Sequence, residues 1–160
     1  MRDGEVRVVD YAPRHRERFQ ALNLAWITEH FRVEDADRRV LGDPEGYVLG
    51  HGGHIFMAER SDGLVVGACA LLRNDDGSFE LAKMAVDPIA RGHHVGRALG
   101  EAAIARATEL GAPYVELLSN TRLTPAITLY RSLGFIDVEL PASEYERANI
   151  KMVLDLRGAK

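Results

Sequence analysis

The sequence predicts a mixed α/β fold in which one sheet carries helices on both faces. Three observations support this. Strand-length apolar runs and helix-period stripes follow one another in the order β, helices, β-β-β, α, β, α, β, β. The three central runs are separated by turn signals and read as an antiparallel meander. The 160 residues contain no repeat, no low-complexity tract and no linker long enough to separate domains. One domain spanning residues 1–160 is therefore expected.

The elements follow in order. Val6 to Val9 is short and valine-rich, a first strand. Pro13 suits the first turn of a helix. Phe19, Leu22, Trp26 and His30 recur at three- and four-residue steps, giving a helix from Arg14 to His30. Val33 to Leu41 reads as a short helix, and Asp43-Pro44-Glu45-Gly46 can open another. Gly50, Gly52 and Gly53 make a flexible join. The meander is Ile55 to Glu59, Leu64 to Leu72 and Phe79 to Val86, with turns at Ser61-Asp62-Gly63 and Asn74-Asp75-Asp76-Gly77. Asp87-Pro88 ends it, because proline cannot donate to a ladder. From Gly92 a helix is expected, with the stripe Val95, Leu99, Ala102, Ala103 and Leu110, closed by Gly111 and Pro113. Tyr114 to Leu118 is a buried-strand run. Thr124 reads as an N-cap with Pro125 at the first helical position. Leu123, Ile127 and Tyr130 share a face of that helix, and Gly134 stops it. Phe135 to Leu140 and Ile150 to Leu156 are the last strands.

Composition narrows the function classes. Hydrophobic residues make up 46% and charged residues 28%, which argues against disorder, collagen and coiled coil. Twenty basic residues against 24 acidic ones give a net charge of -4, which opposes a non-specific nucleic-acid binder but leaves a local basic loop open. Cys69 is the only cysteine, so no intrachain disulfide can form; within Gly67-Ala68-Cys69-Ala70-Leu71-Leu72 it reads as a small buried residue. No apolar stretch reaches the roughly 18 residues a membrane span needs. Met1-Arg2-Asp3-Gly4-Glu5 lacks a signal-peptide core, so a cytoplasmic location is expected.

The chemistry concentrates in Leu81-Ala82-Lys83-Met84-Ala85-Val86-Asp87-Pro88-Ile89-Ala90-Arg91-Gly92-His93-His94-Val95-Gly96-Arg97. An apolar strand leads through a proline turn into a basic, glycine-containing loop and then a long helix. Backbone N–H groups at a helix N-terminus, with the positive end of its dipole, form an anion site. Arg91 and Arg97 add charges suited to phosphate oxygens. A tight helix start with no ligand is the competing reading. The Gly-x-x-x-x-Gly-Lys-Ser/Thr loop and the Gly-x-Gly-x-x-Gly fingerprint are both missing.

With these residues the chain resembles the GCN5-related N-acetyltransferase (GNAT) superfamily, whose members carry Arg/Gln-x-x-Gly-x-Gly/Ala after the fourth strand. Here the match is Arg91-Gly92-His93-His94-Val95-Gly96, preceded by Met84-Ala85-Val86-Asp87-Pro88. Downstream, Ser119-Asn120, Ala126-Ile127-Thr128-Leu129-Tyr130 and Leu133-Gly134-Phe135 resemble the family's "Asn … Ala-x-x-Leu-Tyr-x-x-x-Gly-Phe" pattern. One position departs: His94 stands where the family usually has its first loop glycine. Histidine tolerates positive φ better than most residues, and its amide remains a donor.

The resemblance implies a GNAT-like acyl-CoA N-acyltransferase fold: a central mixed, mostly antiparallel sheet of about seven strands flanked by about four helices. It implies an acetyl-CoA-dependent N-acetyltransferase that moves the acetyl group directly to a primary amine; a small molecule or amino acid is the expected acceptor, since the chain shows no separate domain for gripping a protein. Acetyl-CoA is then the co-substrate and no metal is needed. Gly50-His51-Gly52-Gly53-His54 has two histidines and no third ligand. A protein, peptide or aminoacyl-tRNA acceptor and a non-catalytic acyl-CoA-binding module remain alternatives. No nucleic acid or membrane partner is expected, and homodimers are frequent in the family.

The resemblance also assigns roles. Backbone amides near Met84, Ala85 and Val86 would face the thioester oxygen, where the strand splays from its neighbour. Arg91, Gly92, His93, His94, Val95, Gly96 and Arg97 would hold the cofactor phosphates, with Asn120 and Ala126 along its arm. Tyr130 would protonate the departing thiolate. Glu80 is the best carboxylate for a base, and alternation puts it on one strand face with Ala82 and Met84; ordered water is the competing base. Asn120 reads equally as a helix cap, and Lys83 as a solvated strand residue. In the family the acceptor site is shaped by the first helices and the loop between the last two strands, here Leu24 to Tyr47 and Pro141 to Asn149. Trp26, Phe31, Tyr47, Tyr145 and Arg147 are candidates to line it.

Overall fold

Residues 5–140 and 146–157 are described by a computed structural model. The chain runs β1 (Val6–Asp10), α1 (Arg16–His30), α2 (Asp35–Gly42), α3 (Pro44–Tyr47), β2 (His54–Arg60), β3 (Val65–Arg73), β4 (Phe79–Val86), α4 (Val95–Glu109), β5 (Tyr114–Ser119), α5 (Thr124–Ser132), β6 (Ile136–Val138) and β7 (Ile150–Asp155). Residues 141–145 of the expected acceptor loop, Tyr145 among them, lie outside the described residues.

The seven strands form one sheet in the order β1-β2-β3-β4-β5-β7-β6. The β2-β3-β4 meander is antiparallel as expected, and β4 with β5 is the parallel pair. The expected mixed, mostly antiparallel sheet is present, and among the described residues five α-helices flank it, the short Pro44–Tyr47 turn included.

Period-two alternation sends the strands' side chains into two cores. Phe56, Cys69, Leu71, Phe79 and Leu81 pack with Val95, Leu99 and Ala103 of α4 and Ile127 of α5. Ile55, Met57, Ala68, Ala70 and Ala85 pack with Phe19, Leu22 and Ile27 of α1 and Val40 and Leu41 of α2. Helix α4 lies close on β3: a Cβ added to Gly67 would sit 2.8 Å from Val95 and 3.1 Å from Leu99. Cys69 is fully buried beneath α4, its Sγ 3.8 Å from the Leu99 carbonyl, and burial pushes its thiol pKa up.

Several boundaries shift for physical reasons. Helix α4 starts at Val95 rather than Gly92, because Gly92 (φ 84°) and His94 (φ 62°) are left-handed and cannot be helical. Thr124 is the first residue of α5, not its cap; Leu123 takes the cap position without a side-chain bond, and Pro125 falls where a missing N–H costs nothing. Gly134 (φ 105°) ends α5 as expected, and the Phe135 N–H bonds to the Tyr130 carbonyl at 3.1 Å. That bond closes the turn, so β6 begins at Ile136 rather than Phe135.

The departure that matters most is in β4. Ala68 pairs with Ala85 but Ala70 pairs with Ala82, so β4 holds one extra residue opposite Cys69. Lys83 supplies the bend, with φ 55°. A bulge of this kind reverses the alternation beyond it. Met84 therefore packs against the α4-side core with Leu81, opposite the face of Glu80 and Ala82, contrary to the alternation expected from sequence.

Candidate functional site

The β4–β5 ladder covers only Phe79↔Val115 and Glu80↔Glu116. From Leu81 onward the two strands have no paired positions, while β5 stays paired to β7 along its length. The strands open into a wedge, as the expected splay requires. A cleft of about 760 Å³, counted with its open mouth, fills the wedge. Glu80, Leu81, Ala82, Lys83 and Met84 of β4 form one wall, and Leu118, Ser119 and Asn120 face them. Leu123, Ala126 and Tyr130 come from the α5 side, Asn23, Trp26, Ile27 and Phe31 from α1 and its end, and Arg147 and Ala148 from the segment before β7.

Of the sequence-predicted residues, Glu80, Met84, Asn120, Ala126 and Tyr130 line this cleft. Ala85 is buried in the α1-side core and Val86 packs against the α4-side core, so only their backbone can serve a ligand. Tyr130 is half-buried, its ring set edge-on to Phe135 at 6.1 Å. Burial, reinforced by Cys69, pushes its phenol up to about 12.

Residues 91–97 lie at the start of α4. Asp87 shapes the approach by accepting from the Ile89 N–H at 3.0 Å and from Arg18 at 2.6 Å. The first intrahelical bond of α4 is Ala98 N–H to the His94 carbonyl at 3.0 Å, so the amides of Val95, Gly96 and Arg97 lack a helical acceptor. Those donors, the open space around Gly92 and the exposed His93 and His94 fit a phosphate group. Both arginines already have protein partners. Arg91 makes two contacts to Glu29, at 2.8 and 3.3 Å, and Arg97 bonds Ser132 at 2.8 Å and Glu101 at 3.2 Å. An anion here competes with Glu29 for Arg91. Asn120 donates to the Arg147 carbonyl at 2.7 Å and accepts from the Arg122 N–H at 2.9 Å. It makes an Asx-type turn that ties two loops together rather than capping a helix.

Sequence reasoning misread Lys83. Its side chain is 4% exposed, not solvated, and its Nζ donates to Asp37 at 2.7 Å. Asp37 is fully buried and also accepts from Arg147 at 2.7 and 2.8 Å and from the Glu34 N–H at 2.9 Å. Burial works to raise the Asp37 carboxyl, but the hydrogen bonds from Arg147 and Lys83 and the Lys83 charge hold it well below the usual carboxylate range. Burial lowers the Lys83 ammonium, with Asp37 opposing the shift. A lysine within the apolar run Leu81-Ala82-Lys83-Met84-Ala85-Val86 was the available signal that a buried carboxylate partner existed. Trp26, Phe31 and Arg147 line the cleft as expected, whereas Tyr47 packs against His51. His51 bonds the Gly46 carbonyl and His54 lies beside Arg106 and Phe79, so the two histidines have separate surroundings.

A family profile described as "Acetyltransferase (GNAT) domain" matches residues 51–137. The chain is similar to mycothiol acetyltransferase of Thermobispora bispora, 34% identical over 145 residues that cover 81% of this chain and 46% of the relative. It thus spans less than half the length of that curated relative. Among solved structures, a GNAT-family acetyltransferase from Staphylococcus aureus Mu50 superposes with a TM-score of 0.87 at 21% identity, covering 96% of this chain and all of the other. A GNAT superfamily phosphinothricin acetyltransferase from Sinorhizobium meliloti, solved in complex with acetyl-CoA, gives 0.75 at 17% identity, with 94% and 88% covered.

Proposed function

The chain belongs to the GNAT acetyltransferase family, and from that premise we propose that it is an acetyl-CoA-dependent N-acetyltransferase acting directly on a primary amine of a small molecule or amino acid. The observation that carries this reading is the wedge between β4 and β5, which opens beside the free amides at the start of α4. Acetyl-CoA supplies an activated acetyl thioester when bound.

Each requirement of the transfer has a candidate group in this chain. The amides of Val95, Gly96 and Arg97, with Arg91 once released from Glu29, hold phosphate oxygens. The β5-facing edge of β4 from Leu81 onward, unpaired on that side, can bond an extended, amide-bearing arm as a strand would. Lys83 and Met84 fall outside the paired positions of the β3–β4 ladder, and amides at this bulge can donate to the thioester oxygen as it gains charge. Tyr130 lines the cleft, and its hydroxyl can donate to the departing sulfur. Glu80 lines the cleft and can take the amine proton directly or through water. The aromatic pair Trp26 and Phe31, 6.3 Å apart, forms the acceptor-side wall. The small-molecule reading draws on the lining of this cleft by α1, β4, β5 and α5, and the acetyltransferase names of the relatives accord with it.

The test is free-thiol release from acetyl-CoA against 2-phenylethylamine, glycine and the peptide Ala-Ala-Ala. Amine-dependent release supports the reading and ranks the acceptor classes. Saturable acetyl-CoA binding with no release to any amine supports a non-catalytic acyl-CoA-binding module instead.

A further inference from the structure

The acceptor end of the cleft is built around a buried charge cluster with no assigned role in the transfer. Asp37 of α2, Lys83 at the β4 bulge and Arg147 before β7 are distant in sequence and meet around one carboxylate. Glu34 adds a second carboxylate. Its Oε1 accepts from the Glu146 N–H at 2.9 Å and its Oε2 from Arg147 at 3.3 Å. The Arg147 carbonyl accepts from Asn120, and Asn149 donates to the Ser119 carbonyl at 2.9 Å while accepting from the Thr121 N–H at 2.9 Å. The segment 146–149 is thereby tied to α2 on one side and to the end of β5 on the other. The Arg147 guanidinium also lies 5.9 Å from the Phe31 ring centroid, beside the aromatic wall.

Apolar packing would hold these elements together at least as well, because desolvating charges offsets much of their attraction. What a forked arginine between two carboxylates adds is a single geometry. We propose that Arg147 is a positioning residue for the acceptor: clamped by Asp37 and Glu34, it fixes the 146–149 segment as the wall against which the amine is seated. This rests on the acetyltransferase reading.

The experiment uses the full chain, acetyl-CoA and whichever of 2-phenylethylamine, glycine and Ala-Ala-Ala the wild type turns over fastest. In Arg147→Gln the amine KM rises about tenfold or more while kcat stays within about threefold, since a misplaced wall weakens seating rather than the chemical step. The acetyl-CoA Kd, read by calorimetry, stays within about twofold because the phosphate donors are elsewhere. Arg147→Lys recovers some of the loss, keeping the charge without the fork. Should Arg147→Gln fail to fold, Glu34→Gln carries the same test, since it removes one clamp and leaves Asp37 in place. An active wild type with an unmoved amine KM in the folded variant overturns the proposal alone, as does an acetyl-CoA affinity that falls in step with the KM. A wild type that releases no thiol with any of the three amines overturns the acetyltransferase reading and this one with it.

Discussion

Replacing Tyr130 with Phe removes one oxygen and keeps the ring that packs on Phe135. The size of the effect follows from the surroundings of that oxygen. Burial holds the phenol up to about 12, whereas an ordinary alkyl thiol ionises near 8.5, so handing the proton fully to a thiolate runs uphill by about 5 kcal/mol. In the proposed transfer Tyr130 would therefore serve as a hydrogen-bond donor to the departing sulfur rather than give up its proton completely. A hydrogen bond to a charged partner contributes about 1.5–3 kcal/mol, a factor of about 10 to 150 in kcat. Thiol release with saturating amine should show that loss, with the acetyl-CoA Kd within about twofold of wild type by calorimetry. The wild-type kcat should also show no descending limb from this group below about pH 11, since the hydroxyl stays protonated through that range. An unchanged kcat refutes the assignment. A descending limb between about pH 8 and 10 that disappears in the Phe variant refutes the raised pKa and the donor argument built on it.

Three further predictions concern the rest of the cleft. Glu29→Gln releases Arg91, so acetyl-CoA binds a few-fold more tightly in low salt and the gain shrinks at high salt; unchanged calorimetric affinity removes Arg91 from the phosphate site. His94→Gly relieves a left-handed residue and leaves the melting temperature level or slightly raised, whereas His94→Ala costs about 1 kcal/mol and lowers it by about 2–4 °C. Glu80→Gln lowers kcat and abolishes the acidic limb of the pH–rate profile if the carboxylate takes the amine proton; a profile identical to wild type assigns that role to water.

The features legible in sequence were those set by local pattern. The meander, the α4 stripe from Val95 to Ala103 and the glycine stop of α5 follow from spacing and turn chemistry within a few residues, whereas Leu110, expected in that stripe, lies past the end of α4 and is exposed. The loop from Arg91 to Gly96 was legible for the same reason, and His94 adopts the positive φ its residue type tolerates. What stayed hidden depends on distant partners. Counting alternation along β4 placed Met84 beside Glu80, because nothing within the strand announces the extra residue opposite Cys69. Lys83 passed for a surface residue because its carboxylate, Asp37, is 46 positions away. Asn120 was readable as polar and near the cleft, but its tether to the Arg147 carbonyl spans 27 positions and two loops.

The burial of Cys69 bears on how this protein meets the thiol its proposed reaction releases. Its sulfur lies under α4 with its ionisation suppressed, and thiolate is the form that exchanges with disulfides. Under the proposed reaction, released or oxidised coenzyme A would therefore find this thiol shielded from mixed-disulfide exchange, and peroxide would find no thiolate at Cys69 to oxidise. A colorimetric thiol reagent added to the folded chain should register no fast-reacting group, and one equivalent after denaturation. The release assay then reads product alone, and storage in oxidising buffer should leave the catalytic rate where it began.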